Sequence, residues 1–194
     1  MKSFRLFSLP LLLAAVTFSA RAAVESYTID SVHSSVGFSI RRLVSKVPGS
    51  FTKFSGTITV DRENPEKNSV EATIEVGSIN TADNNRDTHL KTPDFFDATK
   101  FPTITFKSKE WKKTGKDAFD VTGDLTLHGI TKPVTLKVSL LGFAPGMGGV
   151  QVSGWEATAT LNKADFGVNG PAMLGTMLSD DVAVTLNISA NEKK

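Results

Sequence analysis

The sequence predicts an all-β protein of antiparallel strands. Apolar and polar residues alternate along eight segments of the chain, which is the pattern of strands with one buried face. Short turn-forming stretches, such as Asn64-Pro65 and the segments around Gly115 and Gly129, separate many of them. No linker or internal repeat divides the chain, so we expect a single domain.

The eight predicted strands follow one another from residue 31 to residue 190. They span residues 31–42, 51–60, 69–77, 103–110, 118–128, 133–141, 151–161 and 181–190. The clearest is 69–77, in which Val70, Ala72 and Ile74 share one face and Glu71 and Thr73 share the other. Eight such strands can bury their apolar faces as two facing sheets or as one closed barrel.

One internal segment has helical rather than strand character. Residues 83–91 are polar, contain no Gly or Pro, and begin with Asp83, a good N-cap residue. We expect one short helix there, ending before Thr92-Pro93. Residues 167–179 contain three glycines, and we expect a loop with at most one helical turn.

Two glycines share the apolar face of their predicted strands. Gly56 has the parity of Phe54 and Ile58, and Gly123 has the parity of the neighbouring apolar residues of its strand. An inward glycine either leaves room for a ligand inside a barrel or marks a bulge or bend in the strand. The pattern alone supports both interpretations.

The first 22 residues have the three-part layout of a secretory signal peptide. Lys2 and Arg5 give a positive start, residues 6–16 are mostly apolar, and Ala20-Arg21-Ala22 resembles a cleavage site. The apolar run is shorter than the roughly 20 residues that a membrane span needs, and no later segment is apolar enough for one. We therefore expect cleavage after Ala22, export of residues 23–194 and a periplasmic location.

Charge and composition exclude several classes of function. The full chain carries 22 basic and 20 acidic residues, but three basic residues lie within the first 22 positions, so 19 basic residues remain beyond them. This near-neutral remainder lacks the positive charge of a nucleic-acid-binding protein. The chain contains no cysteine, which excludes disulfides, thiolate metal sites and cysteine nucleophiles.

Catalytic and metal-binding patterns are not evident. The chain has no nucleophile elbow, phosphate-binding loop or zinc-protease helix, and its histidines, His33, His89 and His128, are not spaced as metal ligands. We therefore expect no catalytic residues, metal or cofactor. Five lysines, at positions 107, 109, 112, 113 and 116, concentrate on one predicted hairpin. They form either a solvated strand edge or a contact for anionic headgroups.

A series of short motifs runs through nearly all of residues 30–182. In order they are Asp30-x-x-His33-Ser34-x-Val36-x-Phe38, Gly49-x-Phe51-x-x-Phe54-x-Gly56, Ser78-Ile79-x-Thr81, Arg86-Asp87-x-His89-Leu90-Lys91, Asp94-Phe95-Phe96-Asp97, Phe101-Pro102-x-Ile104-x-Phe106, Gly123-x-Leu125-Thr126-Leu127-His128-Gly129-Ile130-Thr131-Lys132-Pro133-Val134, Asp165-Phe166-Gly167 and Ser179-Asp180-x-Val182. This order resembles the YceI-like family of secreted, mostly periplasmic, polyisoprenoid-binding proteins.

The resemblance implies an eight-stranded, lipocalin-like antiparallel β-barrel with a hydrophobic channel for an isoprenoid or another long-chain lipid. The resemblance also favours the interpretation that the two inward glycines leave room for a ligand. The apolar residues expected to contact the lipid chain are Phe38, Ile40, Phe54, Ile58, Ile74, Ile104, Phe106, Leu125, Leu127, Leu136, Val138 and Trp155. Each of them could equally be ordinary core. Met173 and Met177 are expected at an adaptable entrance.

Two polar features complete the expected site. Arg86 and His89 lie one helical turn apart, so they could hold a headgroup at the channel end or tie the helix to the barrel, and the tie is favoured. Lys163 stands where many family members carry Arg, which could change the preferred headgroup.

Two other functions stay open at this point. One is an enzyme that acts on a lipid or quinone within the same barrel, with a histidine as acid or base. The other is a scaffold protein with a filled interior and no ligand. The sequence does not decide the identity of the lipid, or whether the protein is a homodimer.

Overall fold

The computed structural model describes residues 24–175 and 177–193, so the expected signal peptide lies outside the described residues. The described part contains eleven strands and one α-helix. In chain order they are β1 (Glu25–Ile29), β2 (Ser35–Arg42), β3 (Ser45–Phe51), β4 (Phe54–Val60), β5 (Ser69–Glu75), β6 (Ile79–Asn80), α1 (Asn84–Leu90), β7 (Thr103–Lys113), β8 (Ala118–Leu127), β9 (Ile130–Pro145), β10 (Gln151–Asn162) and β11 (Leu178–Glu192).

Eight of the strands form a closed antiparallel barrel in the order β1-β4-β5-β7-β8-β9-β10-β11. The ring closes where β1 pairs with both β4 and β11, since Tyr27 lies opposite Ile58 on one side and Glu192 on the other. Because the ring closes there, β1 has a hydrogen-bonded neighbour on both sides. The predicted eight-stranded, lipocalin-like barrel is confirmed, and the alternative of two facing sheets is wrong.

The remaining three strands extend one end of the barrel. β2 pairs with the first half of β11, with Phe38 opposite Val184, and β3 then pairs with β2 and with the two-residue β6. The predicted strand 31–42 begins only at Ser35, as β2, because residues 31–34 belong to the turn that separates β1 from β2. Strand β1, which takes the eighth place in the ring, was not predicted. The alternation pattern missed β3 because Pro48 and Gly49 interrupt it.

Helix α1 occupies the predicted segment. The Asp83 carboxylate accepts hydrogen bonds from the backbone N–H groups of Asn85 and Arg86, both at 3.0 Å, which fixes the first turn. The Arg86 N–H bond is the main cause that lowers the pKa of Asp83. Asp87 accepts bonds from the backbone N–H and the hydroxyl of Thr81 at 2.8 and 2.6 Å. These bonds tie the helix to the chain just after β6.

Buried side chains form two clusters, one toward each end of the barrel. The basal cluster contains Tyr27, Ile58, Val60, Trp111, Phe119, Val121, Val138, Trp155, Ala157 and Ala190. The apical cluster contains Val36, Phe51, Val76, Ile79, Phe95, Ile104, Leu125, Leu127, Phe166 and Val168. Helix α1 and the β2–β3 hairpin lie at the apical end.

The two inward glycines do not make space for a ligand, which corrects one expectation. A Cβ on Gly56 would lie 2.6 Å from the Glu71 carbonyl oxygen, and a Cβ on Gly123 would lie 2.5 Å from the Lys107 carbonyl oxygen. A bulge at Ser108–Glu110 lies directly opposite Gly123. Both glycines permit close approach of the neighbouring strand instead of making a cavity. Gly123 lies opposite a bulge, whereas β4 pairs with β5 at Gly56 without a register shift.

Candidate functional site

The barrel encloses one large cavity of about 660 Å³. This volume lies in the range of about 300–1,000 Å³ that is usual for small-molecule sites, and barrels of eight strands are wide enough to hold one small ligand. All twelve apolar positions predicted from the sequence lie on its wall: Phe38, Ile40, Phe54, Ile58, Ile74, Ile104, Phe106, Leu125, Leu127, Leu136, Val138 and Trp155. Strand alternation explains this placement, because it determines which face of each strand points inward. Their contact with a lipid chain stays a prediction.

The basal end of the cavity is closed by aromatic rings. Trp111 and Trp155 both line the cavity and are almost completely buried. Their rings meet edge to face with centroids 5.7 Å apart, and Phe119 packs against Trp111 at the same distance. We call Trp111 and Trp155 the floor. Trp155 also lines a smaller pocket of about 220 Å³ on the far side of the floor.

The opposite end of the cavity carries the polar residues. Those of its lining residues that are exposed to solvent lie near α1, the end of β2 and the start of β4. They are Arg42, Ser55, Asp83, Asn85, Arg86 and His89. We call this end the mouth. An apolar chamber with a closed floor and a polar mouth is the geometry for a molecule with a long apolar part and a polar end.

Arg86 and His89 lie at the mouth, and both also make structural contacts. The Arg86 guanidinium donates to the hydroxyl and to the carbonyl oxygen of Thr81, each at 2.7 Å. The His89 ring lies 3.0 Å from the Asp94 carboxylate and meets the Phe95 ring edge-on. These contacts hold α1 against the chain segments just before and after it, and both side chains still line the cavity.

Two further basic residues, Arg42 and Lys163, line the cavity near the mouth. From the sequence we expected Lys163 to influence headgroup preference and assigned no role to Arg42. Lys163 is only 9% exposed, and its Nζ donates to the Asp180 carboxylate at 2.8 Å. Arg42 ends β2 and is exposed. A signal was present, because Arg42 continues the inward parity of Phe38 and Ile40. Lys163 likewise continues the inward parity of β10.

The two methionines are not among the residues that line the cavity. Met173 is 78% exposed on the short 3₁₀ turn Ala172–Leu174, and Met177 is partly buried. Leu174 and Leu178, from the same stretch of chain, line the cavity instead. A role for the methionines at an entrance therefore stays a prediction.

The three histidines lie apart from one another and have separate partners. His33 contacts Asp30 at 2.8 Å in the turn between β1 and β2, whereas the His128 ring contacts the Phe166 carbonyl oxygen at 3.2 Å in the β8–β9 turn. Within the described ranges, no group of three or more His, Asp or Glu side chains is placed to bind a metal ion. Nor does any helix there have the length and apolarity to cross a membrane.

Sequence comparison identifies the family. The sequence model of the YceI-like domain matches residues 27–190. The chain belongs to the YceI-like family. Among its relatives, protein YceI of Shigella flexneri is 39% identical over 193 residues, covering 96% of this chain and 97% of that protein. A UPF0312 protein of Pseudomonas aeruginosa is 41% identical over 169 residues, which cover 84% of this chain and 88% of that protein.

Several solved structures share this fold. A YceI protein of Campylobacter jejuni superimposes with a TM-score of 0.68 at 26% identity, covering 98% of this chain and all of that one. BcnA of Burkholderia cenocepacia gives a TM-score of 0.77 at 23% identity, and the match covers 83% of this chain and 98% of BcnA. A polyisoprenoid-binding domain of Saccharophagus degradans gives a TM-score of 0.65 at 15% identity, and the match covers 86% of this chain and 98% of that domain.

Several polar residues of the family motifs fix turns. The Ser34 hydroxyl donates to the Ser189 carbonyl oxygen at 3.1 Å and accepts from the Ser189 N–H at 2.9 Å. The Asp30 carboxylate accepts from the N–H of Val32 at 3.0 Å. Because Ser189 lies on β11, the turn between β1 and β2 is tied to the strand that both of them flank. These motif residues support the barrel rather than line its cavity.

Proposed function

We propose that this protein is a periplasmic carrier that holds one long-chain lipid, of the isoprenoid class, in its cavity. The observation that carries the proposal is the distribution of polarity around the cavity, with apolar walls, a closed aromatic floor and polar groups at one mouth. The relative from Saccharophagus degradans, described as a polyisoprenoid-binding domain, supports the choice of lipid. The expected signal peptide supports the location.

Burial of the lipid chain supplies the binding energy. Each CH₂ group removed from water contributes about 0.8 kcal/mol, and part of this gain offsets the entropy lost when a flexible chain is ordered. No catalytic group is required. The histidines are engaged with Asp30, Asp94 and the Phe166 backbone, and the family comparisons favour a binding protein over an enzyme.

The proposed orientation places the lipid tail on the floor and its headgroup at the mouth. Lys163, Arg42 and Arg86 all line the cavity there, so an anionic headgroup such as a phosphate is better matched than a neutral one. Lys163 is the central group in this proposal, because its buried ammonium has one carboxylate partner and two further N–H donors. A scaffold role with a filled interior does not account for the cavity.

The direct experiment is to identify the bound molecule. The protein is purified from the periplasm of cells that export it, and its lipid content is measured by native mass spectrometry and by extraction. We expect one long-chain lipid per protein molecule. A preparation without lipid that also takes up none of a set of offered polyprenols and polyprenyl phosphates would contradict the proposal.

The headgroup preference is tested separately with Lys163→Gln. We expect this variant to lose affinity for a polyprenyl phosphate about tenfold or more, since a hydrogen bond to a charged group contributes about 1.5–3 kcal/mol. Affinity for the matching polyprenol should stay close to that of the parent protein. Lys132→Gln is the matched control, because Lys132 pairs with Asp165 and does not line the cavity. Equal losses for both ligands would remove the headgroup assignment.

A further inference from the structure

The hairpin that joins β2 to β3 places two aliphatic side chains in solvent. Leu43 and Val44 form its two-residue turn, since Arg42 is the register partner of Ser45. Leu43 is 51% exposed and Val44 is fully exposed. We call residues 41–46 the hairpin tip, and every one of them is exposed.

Turn chemistry does not explain these residues. Leu43 has a φ of 51°, in the left-handed region where tight hairpin turns favour Gly, Asn or Asp. Its N–H donates to the Met177 carbonyl oxygen at 2.8 Å, which holds the turn against the loop that precedes β11. The chain therefore carries an aliphatic residue in an unfavourable backbone conformation and exposes its side chain. The backbone conformation costs stability that no packing of the Leu43 side chain offsets, so a purpose outside the fold is indicated.

The charges of the hairpin tip point to an anionic partner. Arg41, Arg42 and Lys46 give residues 41–46 three positive charges and no negative one. Arg41 and Lys46 are directly opposite one another in register, an arrangement of like charges that destabilises a strand pair. None of the three forms an ion pair within residues 24–175 and 177–193.

The hairpin tip is continuous with the mouth of the cavity. Arg42, within the hairpin tip, and Val47, which follows it, both line the cavity. Met173, 78% exposed, lies on the 3₁₀ turn whose Leu174 carbonyl oxygen accepts from the Met177 N–H. Met177 in turn is bonded to Leu43. Apolar side chains ringed by basic ones, at the opening of an apolar chamber, match the chemistry of an anionic bilayer surface.

We propose that the hairpin tip docks the protein on an anionic lipid bilayer. Leu43 and Val44 enter the outer part of the acyl region, and Arg41 and Lys46 contact lipid phosphates. The mouth then faces the bilayer, so that a lipid passes between membrane and cavity without crossing water. This inference rests on the proposed function for its purpose, while the docking itself is a separate property of the surface.

The lysine-rich hairpin between β7 and β8 does not fit this role. Lys107 and Lys109 are paired with Glu71 and Asp124 at 2.6 and 2.7 Å. The turn of that hairpin follows Trp111 and precedes Phe119, both of the basal cluster, so it lies at the opposite end from the mouth. Substitutions in this hairpin therefore serve as controls, because they remove the same amount of charge from a surface far from the mouth.

The test measures flotation with lipid vesicles. The experiment uses residues 23–194, because every strand of the barrel lies within them and the apolar residues 6–16 would themselves bind lipid. We expect binding to vesicles of phosphatidylethanolamine with phosphatidylglycerol, much weaker binding to phosphatidylcholine, and loss of binding at high salt. No binding to the anionic vesicles, or equal binding to both kinds, overturns the proposal.

Two sets of variants locate the contact. Leu43→Gly with Val44→Ser places glycine at the turn position where φ is positive, so the protein should stay folded while vesicle binding weakens about tenfold or more through the lost apolar contact. Arg41→Gln with Lys46→Gln should weaken binding about fivefold for each charge removed. Val32→Ser, which removes an 84% exposed valine elsewhere, and Lys112→Gln with Lys116→Gln should leave binding unchanged.

Lipid content and oligomeric state complete the test. Each variant is examined by native mass spectrometry, and retained lipid with lost flotation supports docking as a property separate from cargo binding. A protein that carries lipid but does not float overturns docking and leaves the proposed function standing. A protein that floats through the hairpin tip but carries no lipid supports docking and contradicts the proposed function. If the Leu43/Val44 variant dissociates a dimer while flotation is unchanged, the hairpin tip joins two copies of the chain and membrane docking is wrong.

Discussion

The indole rings of Trp111 and Trp155 meet edge to face, with their planes 80° apart and their centroids 5.7 Å apart. Neither indole N–H has a hydrogen-bond partner among the described residues. Trp155 lines both the large cavity and the smaller pocket behind it. This one side chain therefore separates the two spaces and sets the depth of the chamber.

Trp155→Ala should deepen the cavity and destabilise the barrel. We expect the free energy of unfolding to fall by about 3–5 kcal/mol, as for other buried tryptophans, and the distribution of bound lipids to shift to longer chains. Urea unfolding and mass spectrometry of extracted lipid measure the two effects. Trp155→Phe, which keeps a ring in place, should show a smaller change in both. An unchanged chain-length distribution in the alanine variant would show that the floor does not limit the ligand.

Phe106→Glu should prevent lipid retention. Phe106 lies on the cavity wall between Ala72 and Leu125, and a carboxylate there would have to be buried against the lipid chain. We expect bound lipid to fall about tenfold or more, because an unpaired charge is strongly disfavoured in an apolar site. Native mass spectrometry measures the bound fraction.

Thr105→Glu is the matched control for Phe106→Glu. It adds the same charge one residue away on the exposed face of the same strand, so lipid should be retained. Ile40→Trp fills the cavity without adding charge and should also reduce lipid content in a folded barrel. Full retention by both cavity variants would place the ligand elsewhere.

Gly123→Ala should destabilise the protein even though it adds only one methyl group. The new Cβ would lie 2.5 Å from the Lys107 carbonyl oxygen and 2.6 Å from the Phe106 ring, and the backbone atom has little freedom to move. We expect a loss of about 1–3 kcal/mol, as for other overpacked sites. Thermal or urea unfolding measures it.

Gly154→Ala provides the control for that substitution. Its new Cβ would meet Leu141 at 3.4 Å, which is ordinary contact, so this variant should keep its stability or gain a few tenths of a kcal/mol by restricting the unfolded chain. Equal stability of the two alanine variants would mean that the bulge at Ser108–Glu110 adjusts freely.

Tyr27 should ionise only at strongly alkaline pH. Burial and the hydrogen bond to Glu25 raise the pKa of Tyr27 from 10.0 to about 12. The raised pKa means that the folded state holds the phenolic proton more tightly than the unfolded state. Its contribution to stability is therefore complete below pH 10 and is lost as the pH rises toward 12.

The phenolate can be followed directly, because the chain contains a single tyrosine. Ultraviolet absorbance titration of the folded protein should give a midpoint near pH 12, and Glu25→Gln should lower that midpoint toward 10.0. In urea unfolding, the free energy of unfolding of Tyr27→Phe should fall less between pH 10 and pH 12 than that of the parent protein. A midpoint near 10.0 in the folded parent would contradict the buried environment of the ring.

The sequence predicted much of the barrel because strand alternation is a local property. Each strand needs one apolar face, so Val70, Ala72 and Ile74 reveal their orientation without knowledge of their partners. The same reasoning turned twelve apolar residues toward the interior, where they line the cavity. A different local signal, the N-cap residue Asp83 and the polar run after it, located α1. It missed β3, where Pro48 and Gly49 interrupt the pattern, and it missed the short strand β1. It also began β2 four residues too early, inside the preceding turn.

Only the tertiary structure decided closure, depth and the position of the mouth. The pairing of β1 with β11 joins residues more than 160 positions apart, and no local pattern specifies such a partner. The roles of Gly56 and Gly123 depended on how closely the neighbouring strands approach, which register and bulges determine. Alternation tells which way a side chain faces, whereas what it faces depends on long-range hydrogen bonding around the whole ring.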